Sequence, residues 1–308
     1  MLNFLVATAG ARTNLESYFS QWGESIAHRV AISLYGEVDV DAIRGGSVVF
    51  CDVDVMDGDA LAAAGAMWSH LEGKPGFRLL NRPGKALGRY ALLRALHDGG
   101  HNSFNVFRLE ELHGEPRYPV FLRRAADHAG ALSPLLHGRA ELDDAITRAV
   151  ADGALREELI AVEFIDTAVG GRYRKYSAVK AGDALIAHHI FISRHWQTKP
   201  DSLEPPTLDS IVEEAEFQLA NPHRDAVETA FRIGNIDFGR IDYGVRGDRV
   251  EVWEINTMPT LLQRRSYYTP AQMHAKRWFA GTLNSQFKRL SVSGQRSRRP
   301  RPGRGTGR

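Results

Sequence analysis

The sequence predicts an α/β chain of two or three subdomains, on three observations. Short apolar runs alternate with helical stretches over the first eighty residues, two β-rich hairpins fall in the C-terminal half, and 308 residues can bury a substantial core.

NFLVAT, RVAISLY and SVVFCDVDV read as strands and DALAAAGAMWSHL as a helix, a small α/β unit. No phosphate-binding glycine fingerprint follows any of these strands, which speaks against a dinucleotide or Walker-type site. In NRPGKALGRYALLRALHDGG, Leu92, Leu93 and Leu96 recur at helical spacing and Gly99-Gly100 stop the run, predicting about three turns of helix. Arg89 stands three and four residues before Leu92 and Leu93, so it shares the inward flank of that helix.

RYPVFLRRA reads as a strand carrying Arg123 into the loop AADHAGALS, which holds His128; LREELIAVEFID reads as a helix end and another strand. GRYRKYSAVKAGDALIAHHIFIS predicts a hairpin around Ala181-Gly182-Asp183. One helix follows Pro205-Pro206, and a second is opened by Asn221 as N-cap with Pro222 in its first turn and closed by Gly234. Thr269-Pro270 opens a last amphipathic helix toward Leu290, and no internal repeat is present.

Composition narrows the classes. The one cysteine, Cys51, excludes an intrachain disulfide and a Cys-rich metal site, and its apolar strand marks it as inert core. The start, MLNFLVATAGAR, lacks a basic segment and a long apolar run, so the expectation is a soluble, cytoplasmic protein with no membrane partner. The net charge of +2 hides an asymmetry: six of the 39 basic residues lie in SVSGQRSRRPRPGRGTGR, leaving 33 against 37 acidic residues, or −4. That tail reads as a disordered, solvated extension; contact with nucleic acid is the minor alternative, because no aromatic residues interleave with its arginines. His188-His189 and His195 read as packing or surface residues, since adjacent strand histidines diverge and no zinc pattern accompanies them.

The stretch FGRIDYGVRGDRVEVWEINTMPTL carries the chemistry. By strand alternation Phe238, Arg240, Asp242 and Gly244 share one face, and on the return strand Val250, Val252, Glu254 and Asn256 share another. If the pairing superimposes these faces, two carboxylates, an amide and a guanidinium converge. The alternative is an exposed hairpin of solvated charges, against which the apolar flanks Ile241, Val252, Trp253 and Ile255 argue. Adjacent carboxylates repel unless a cation joins them, and a hard divalent ion such as Mg²⁺ takes such oxygen ligands together with substrate phosphates. Arg240 would then oppose charge on a phosphoryl group or an oxyanion.

GRIDYGV and VWEINTMPT resemble the metal-binding core of the ATP-grasp superfamily, of which D-alanine–D-alanine ligases and related carboxylate–amine ligases are members. The resemblance implies an ATP-grasp fold over roughly residues 81–288, with the N-terminal part only loosely comparable. It divides the chain into an N-terminal α/β unit (1–80), a small central subdomain (81–163), a C-terminal subdomain (164–288) and the Arg-rich tail (289–308). By the same resemblance Asp242, Glu254 and Asn256 bind Mg²⁺ (or Mn²⁺), and Arg240 is the catalytic residue that steadies the reacting centre.

VEFID resembles the hinge strand that holds adenine, with Glu163 on the side of the exocyclic amine, Phe164 and Ile165 offering backbone and ring contacts, and Asp166 at its end. By the resemblance Arg89 and Arg123 stand where the family usually has lysines on the ATP phosphates, His128 lies in the loop that folds over them, with a surface residue as the alternative, and Lys175, preferred to Arg174, is a further ATP contact; Lys199 is read as a phosphate contact or a solvated loop lysine. The family's glycine after Asn-Thr-x-Pro is Thr260 here. The implied reaction is ATP-dependent ligation of a small-molecule or peptide carboxylate to an amine; phosphoryl transfer to another acceptor and nucleotide binding without chemistry stay open. No motif in the N-terminal unit identifies the substrate.

Overall fold

The computed structural model describes residues 1–114 and 116–292 of the chain. It opens with β1 (Leu2–Val6), α1 (Ala9–Gln21), β2 (Val30–Leu34), β3 (Gly46–Phe50), α2 (Gly58–Leu71) and β4 (Phe77–Leu80). The four strands form a parallel sheet in the order β2-β1-β3-β4. Parallel pairing requires crossovers, and both helices are started by side-chain caps: the Thr8 hydroxyl accepts from Ala11 N–H and the Asp57 carboxylate from Ala60 N–H. Cys51 is buried at the end of β3, and burial pushes its thiol pKa up, as expected of inert core.

Next come α3 (Arg89–Asp98), β5 (Val106–Arg108), β6 (Val120–Arg124), α4 (Arg139–Ala151) and β7 (Leu159–Glu163). The three strands make an antiparallel sheet, β5-β7-β6, with Leu142, Ala145 and Ile146 of α4 packed against it. β8 (Tyr173–Ala181) and β9 (Ala184–Ser193) form the expected hairpin, with Gly182 at a positive φ of 60° in the turn. After α5 (Leu208–Ala220) and α6 (Arg224–Gly234), β10 (Phe238–Arg246) and β11 (Arg249–Asn256) complete a second antiparallel sheet, β11-β10-β8-β9. α7 (Met273–Val292) closes the described chain.

One face of this last sheet buries Ile241, Tyr243, Val252 and Ile255 against Leu92, Leu93 and Leu96 of α3 and Phe231 of α6. The other carries Phe238 into a core shared with the N-terminal sheet and α7, where the Phe4 ring lies 5.5 Å from Phe238 and 5.7 Å from Phe287. α3 thus packs on the C-terminal sheet and also on the central sheet, whose Val106, Ile160 and Val162 share the same core. No described helix is long and apolar enough to cross a membrane.

Three local expectations are corrected. Asn221 is not the N-cap of α6 but the left-handed C-cap of α5, at φ 43°, a conformation that asparagine tolerates better than most residues. Residues 289–292, assigned to the tail, continue α7, where Leu290 and Ser291 are buried; the remainder of the tail lies outside the described residues. A β-bulge in the β8–β9 pairing at Ser177 and Ala178 brings the His188 and His189 rings to 4.3 Å from each other, instead of on opposite faces. Both are buried packing residues, stacked on Phe279 and Phe191.

Candidate functional site

The register of β10 with β11 sets the site. Arg240 faces Asn256 and Asp242 faces Glu254, so the four polar groups do share one surface. Beyond Asp242 a bulge shifts the pairing, and Tyr243 faces Val252. Strict alternation would have put Val250 and Val252 on the polar face; the bulge instead returns them to the core with Ile241 and Tyr243, where their burial is favourable. It also pushes the Trp253 ring toward β10: a Cβ at Gly244 would come within 2.7 Å of it, so only glycine fits there.

Glu254 is held by cations from three elements. Arg89, the first residue of α3, donates to it; Arg123 Nη2 on β6 lies 3.5 Å away, and His128 Nδ1 lies 3.7 Å away. Arg89 is fixed by donating also to the carbonyls of Arg124 and Ala125 at 3.3 and 3.1 Å, which ties α3 to the end of β6. Burial alone would raise the Glu254 pKa, but His128, Arg89 and Arg123 hold it well below the usual carboxylate range. Burial, with Arg89 close by, lowers Arg123 to about 10. For His128 burial opposes protonation, yet Asp54 and Glu254 outweigh it and raise the imidazole to about 9.

Asp242 is held by the other two cations. Arg240 Nε donates to it at 2.9 Å while Nη1 donates to the Thr260 carbonyl at 3.1 Å, and Lys175 Nζ lies 3.3 Å from its second oxygen. Arg174 turns away to Glu213 at 2.6 Å. Asn256 Oδ1 accepts from Met258 N–H at 2.7 Å, which shapes the strand exit.

Beside these groups opens a cavity of about 300 Å³. Arg123, His128, Lys175, Lys199, Asp242 and Glu254 line one part of it, and Phe104, Phe121, Phe164, Tyr173, Trp196 and Trp253 give it aromatic walls. Gly130, at φ 100°, is pressed on by Lys199: a Cβ there would meet Cε at 2.5 Å and Nζ at 2.8 Å. The His128 loop and Lys199 thus close over the same opening.

Some expected residues are placed differently. Glu163, Phe164 and Ile165 line the cavity, and the Glu163 carboxylate accepts from Asn105 N–H at 3.0 Å and from Arg117 N–H at 2.8 Å. Arg117 Nη2 adds a further bond at 3.2 Å, so the Glu163 side chain braces the cavity wall. Asp166 is exposed and accepts from Ala168 N–H, outside the cavity wall. Arg89, Arg240 and Asn256 are not part of the cavity lining; Arg89 touches Glu254 and Arg240 touches Asp242, which are, while Asn256 pairs with Arg240. The aromatic walls and Asp54 are additions. Trp253 beside Glu254 was the visible signal for the walls, and Asp54, in the run read as strand SVVFCDVDV, gave none.

Among the described residues no three His, Cys, Asp or Glu side chains gather as a ready metal cluster. The all-oxygen set of Asp242, Glu254 and Asn256, with its two carboxylates in register, suits a hard divalent ion chemically, provided the cations now on those oxygens move aside. Arg89, Arg123, His128, Lys175 and Arg240 pair with the carboxylates of Asp54, Asp242 and Glu254, with Asp127 and Asp52 acting on Arg123 and His128 from nearby, and Lys199 brings a further cation to the cavity wall. The buried Nε–H groups of Arg89 and Arg123 have no acceptor. Such an arrangement attracts anions.

No protein-family model and no curated protein matches the sequence at a significant level. Solved structures do match in shape. D-alanine–D-alanine ligase from Bacillus anthracis is 12% identical over 95% of this chain and 97% of its own, with a TM-score of 0.56. The same enzyme complexed with ATP is 13% identical over 95% and 96%, with a TM-score of 0.55. VanG D-Ala:D-Ser ligase from Enterococcus faecalis is 13% identical over 94% of this chain and 99% of that one, with a TM-score of 0.58. The likeness takes in the N-terminal sheet as well as the part carrying the motifs. The chain has the ATP-grasp fold, in the arrangement of the D-alanine–D-alanine ligases.

Proposed function

We propose that the chain is an ATP- and Mg²⁺-dependent ligase that joins a carboxylate to an amine. The observation that carries this reading is the aromatic slot opening onto the clustered cations Arg123, His128, Lys175 and Lys199 beside the paired carboxylates of Asp242 and Glu254. A planar base fits between aromatic side chains, and a polyphosphate fits Arg123, Lys175 and Lys199. The solved structures of similar fold are ligases, one of them complexed with ATP.

Asp242, Glu254 and Asn256 would hold the divalent ion, which when bound neutralises and orients phosphate oxygens. Arg123, Lys175 and Lys199 align the triphosphate, and the loop carrying His128 and Gly130 shields it from water. An oxygen of the substrate carboxylate bonds to the γ-phosphorus as the bond to ADP breaks, giving an acyl phosphate. The amine nitrogen then bonds to the acyl carbon, inorganic phosphate departs and a proton passes to solvent. Arg240, held by Asp242 and the Thr260 carbonyl, opposes the oxyanion of that second step. No nucleophilic side chain is required.

Two measurements test the reading. MgADP at 100 times its Kd should stabilise the fold by about 2.7 kcal/mol in a thermal shift. Phosphate release from ATP, screened across carboxylate and amine mixtures, should be accompanied by an amide product in mass spectra. A phosphorylated product would show kinase-type transfer instead, and binding without phosphate release would show a nucleotide-holding protein. No response to MgADP removes the nucleotide site altogether.

A further inference from the structure

Asp54 follows β3 in the N-terminal unit, with its side chain only 4% exposed. Its Oδ1 accepts from the Thr257 N–H at 3.1 Å and from the Thr257 hydroxyl, while Oδ2 lies 3.5 Å from His128 Nε2. Its own carbonyl oxygen rests on Gly88, where a Cβ would come within 3.0 Å. Each of these contacts borders a group already placed at the site. Thr257 follows Asn256, His128 touches Glu254, and Gly88 caps the helix that begins with Arg89.

A buried carboxylate costs stability unless it is bonded on all sides, and an apolar residue would fill the same space without that cost. What the carboxylate supplies is geometry: it joins the exit of β11 to the His128 loop, while the main-chain carbonyl of the same residue rests on Gly88 at the start of α3. It does not line the cavity, so it acts on the chemistry only through those three elements. We infer that Asp54 is a positioning residue through which the N-terminal unit sets the alignment of Glu254, Asn256 and His128. The inference rests on the ligase reading above.

The test is steady-state ATP turnover by the full chain with mixed amino acids, in Asp54→Asn, His128→Gln and the double variant. Melting temperature without ligand and the shift produced by MgADP are measured alongside. Asparagine keeps an acceptor for Thr257 and loses the charge that faces His128. The expected loss in kcat for Asp54→Asn is about ten- to a hundred-fold, as for a small misplacement of reacting groups, with KM for ATP changed by less than about three-fold. In the His128→Gln background the same change should lower kcat by less than about two-fold, because the partner is already gone. A merely structural role would act equally in both backgrounds. Turnover of Asp54→Asn equal to the unsubstituted chain, or equal losses in the two backgrounds, overturns the inference alone. Absence of both MgADP response and turnover in the unsubstituted chain overturns the ligase reading, and this inference with it.

Discussion

Two glutamates line the same cavity and are held in opposite ways. Glu163, at the end of β7, accepts from the main-chain N–H groups of Asn105, just before β5, and Arg117, ahead of β6, with the Arg117 guanidinium as a third donor. Glu254, near the end of β11, is held entirely by side chains: Arg89, Arg123 and His128. A carboxylate bonded to rigid backbone donors cannot change partners without unfolding its surroundings. One bonded to guanidinium and imidazole groups can exchange them for a metal ion while the cations turn to phosphate. On the proposed function the first serves the scaffold and the second the chemistry.

The sharpest break in this comparison comes from Glu254→Ala and Asp242→Ala, each of which should abolish ATP turnover. Glu254→Ala should also destabilise the free protein by about 3–5 kcal/mol, because Arg89 and Arg123 lose the charge that compensates their burial. Retained turnover in both variants would sink the metal assignment. Arg240→Ala should remove about 2–4 kcal/mol of transition-state stabilisation, a loss of roughly a hundred- to a thousand-fold in kcat. Normal kcat there would leave Arg240 as a partner of Asp242 and nothing more. For Glu163→Ala the effect shifts from rate to stability. Each orphaned N–H should cost about 1–3 kcal/mol in urea unfolding, while turnover per folded molecule stays close to that of the unsubstituted chain. Collapse of turnover at unchanged stability would put Glu163 back on the nucleotide.

Much of this contrast was written in local pattern and part of it was not. The polar residues on apolar strands make Asp242 and Glu254 neighbours if the two faces superimpose, and the register of the hairpin does superimpose them. The inward place of Arg89 followed from three- and four-residue spacing, and the fold from the motif that surrounds these residues. The bulge after Asp242 was invisible, since it answers to the packing of Val250 and Val252 against helices distant in sequence. The resemblance of VEFID to a hinge strand puts Glu163 on the side of the base, but its bonds to the N–H groups of Asn105 and Arg117, 58 and 46 residues away, are invisible there, since backbone donors leave no mark in a sequence. Asp54 was missed for the same reason, with Thr257 203 residues beyond it.

The smallest effect separates the two glutamates by pH. His128 titrates at about 9 in the fold, above its ordinary 6.5, because Asp54 and Glu254 favour its charged form more than burial opposes it. A raised pKa means that protonation is tighter in the folded than in the unfolded state. The stabilisation is therefore complete below about pH 6.5, declines as pH rises, and is gone once pH has passed about 9. With a third of the imidazole exposed, solvent screening reduces the contribution to about 1–2 kcal/mol. Urea unfolding at pH 6 and pH 9.5 should show this loss in the unsubstituted chain and lack it in His128→Gln. Glu163, which no titrating side chain holds, should give Glu163→Gln the same slope as the unsubstituted chain. An equal slope in His128→Gln would mean that the charge on Glu254 is answered by the two arginines alone.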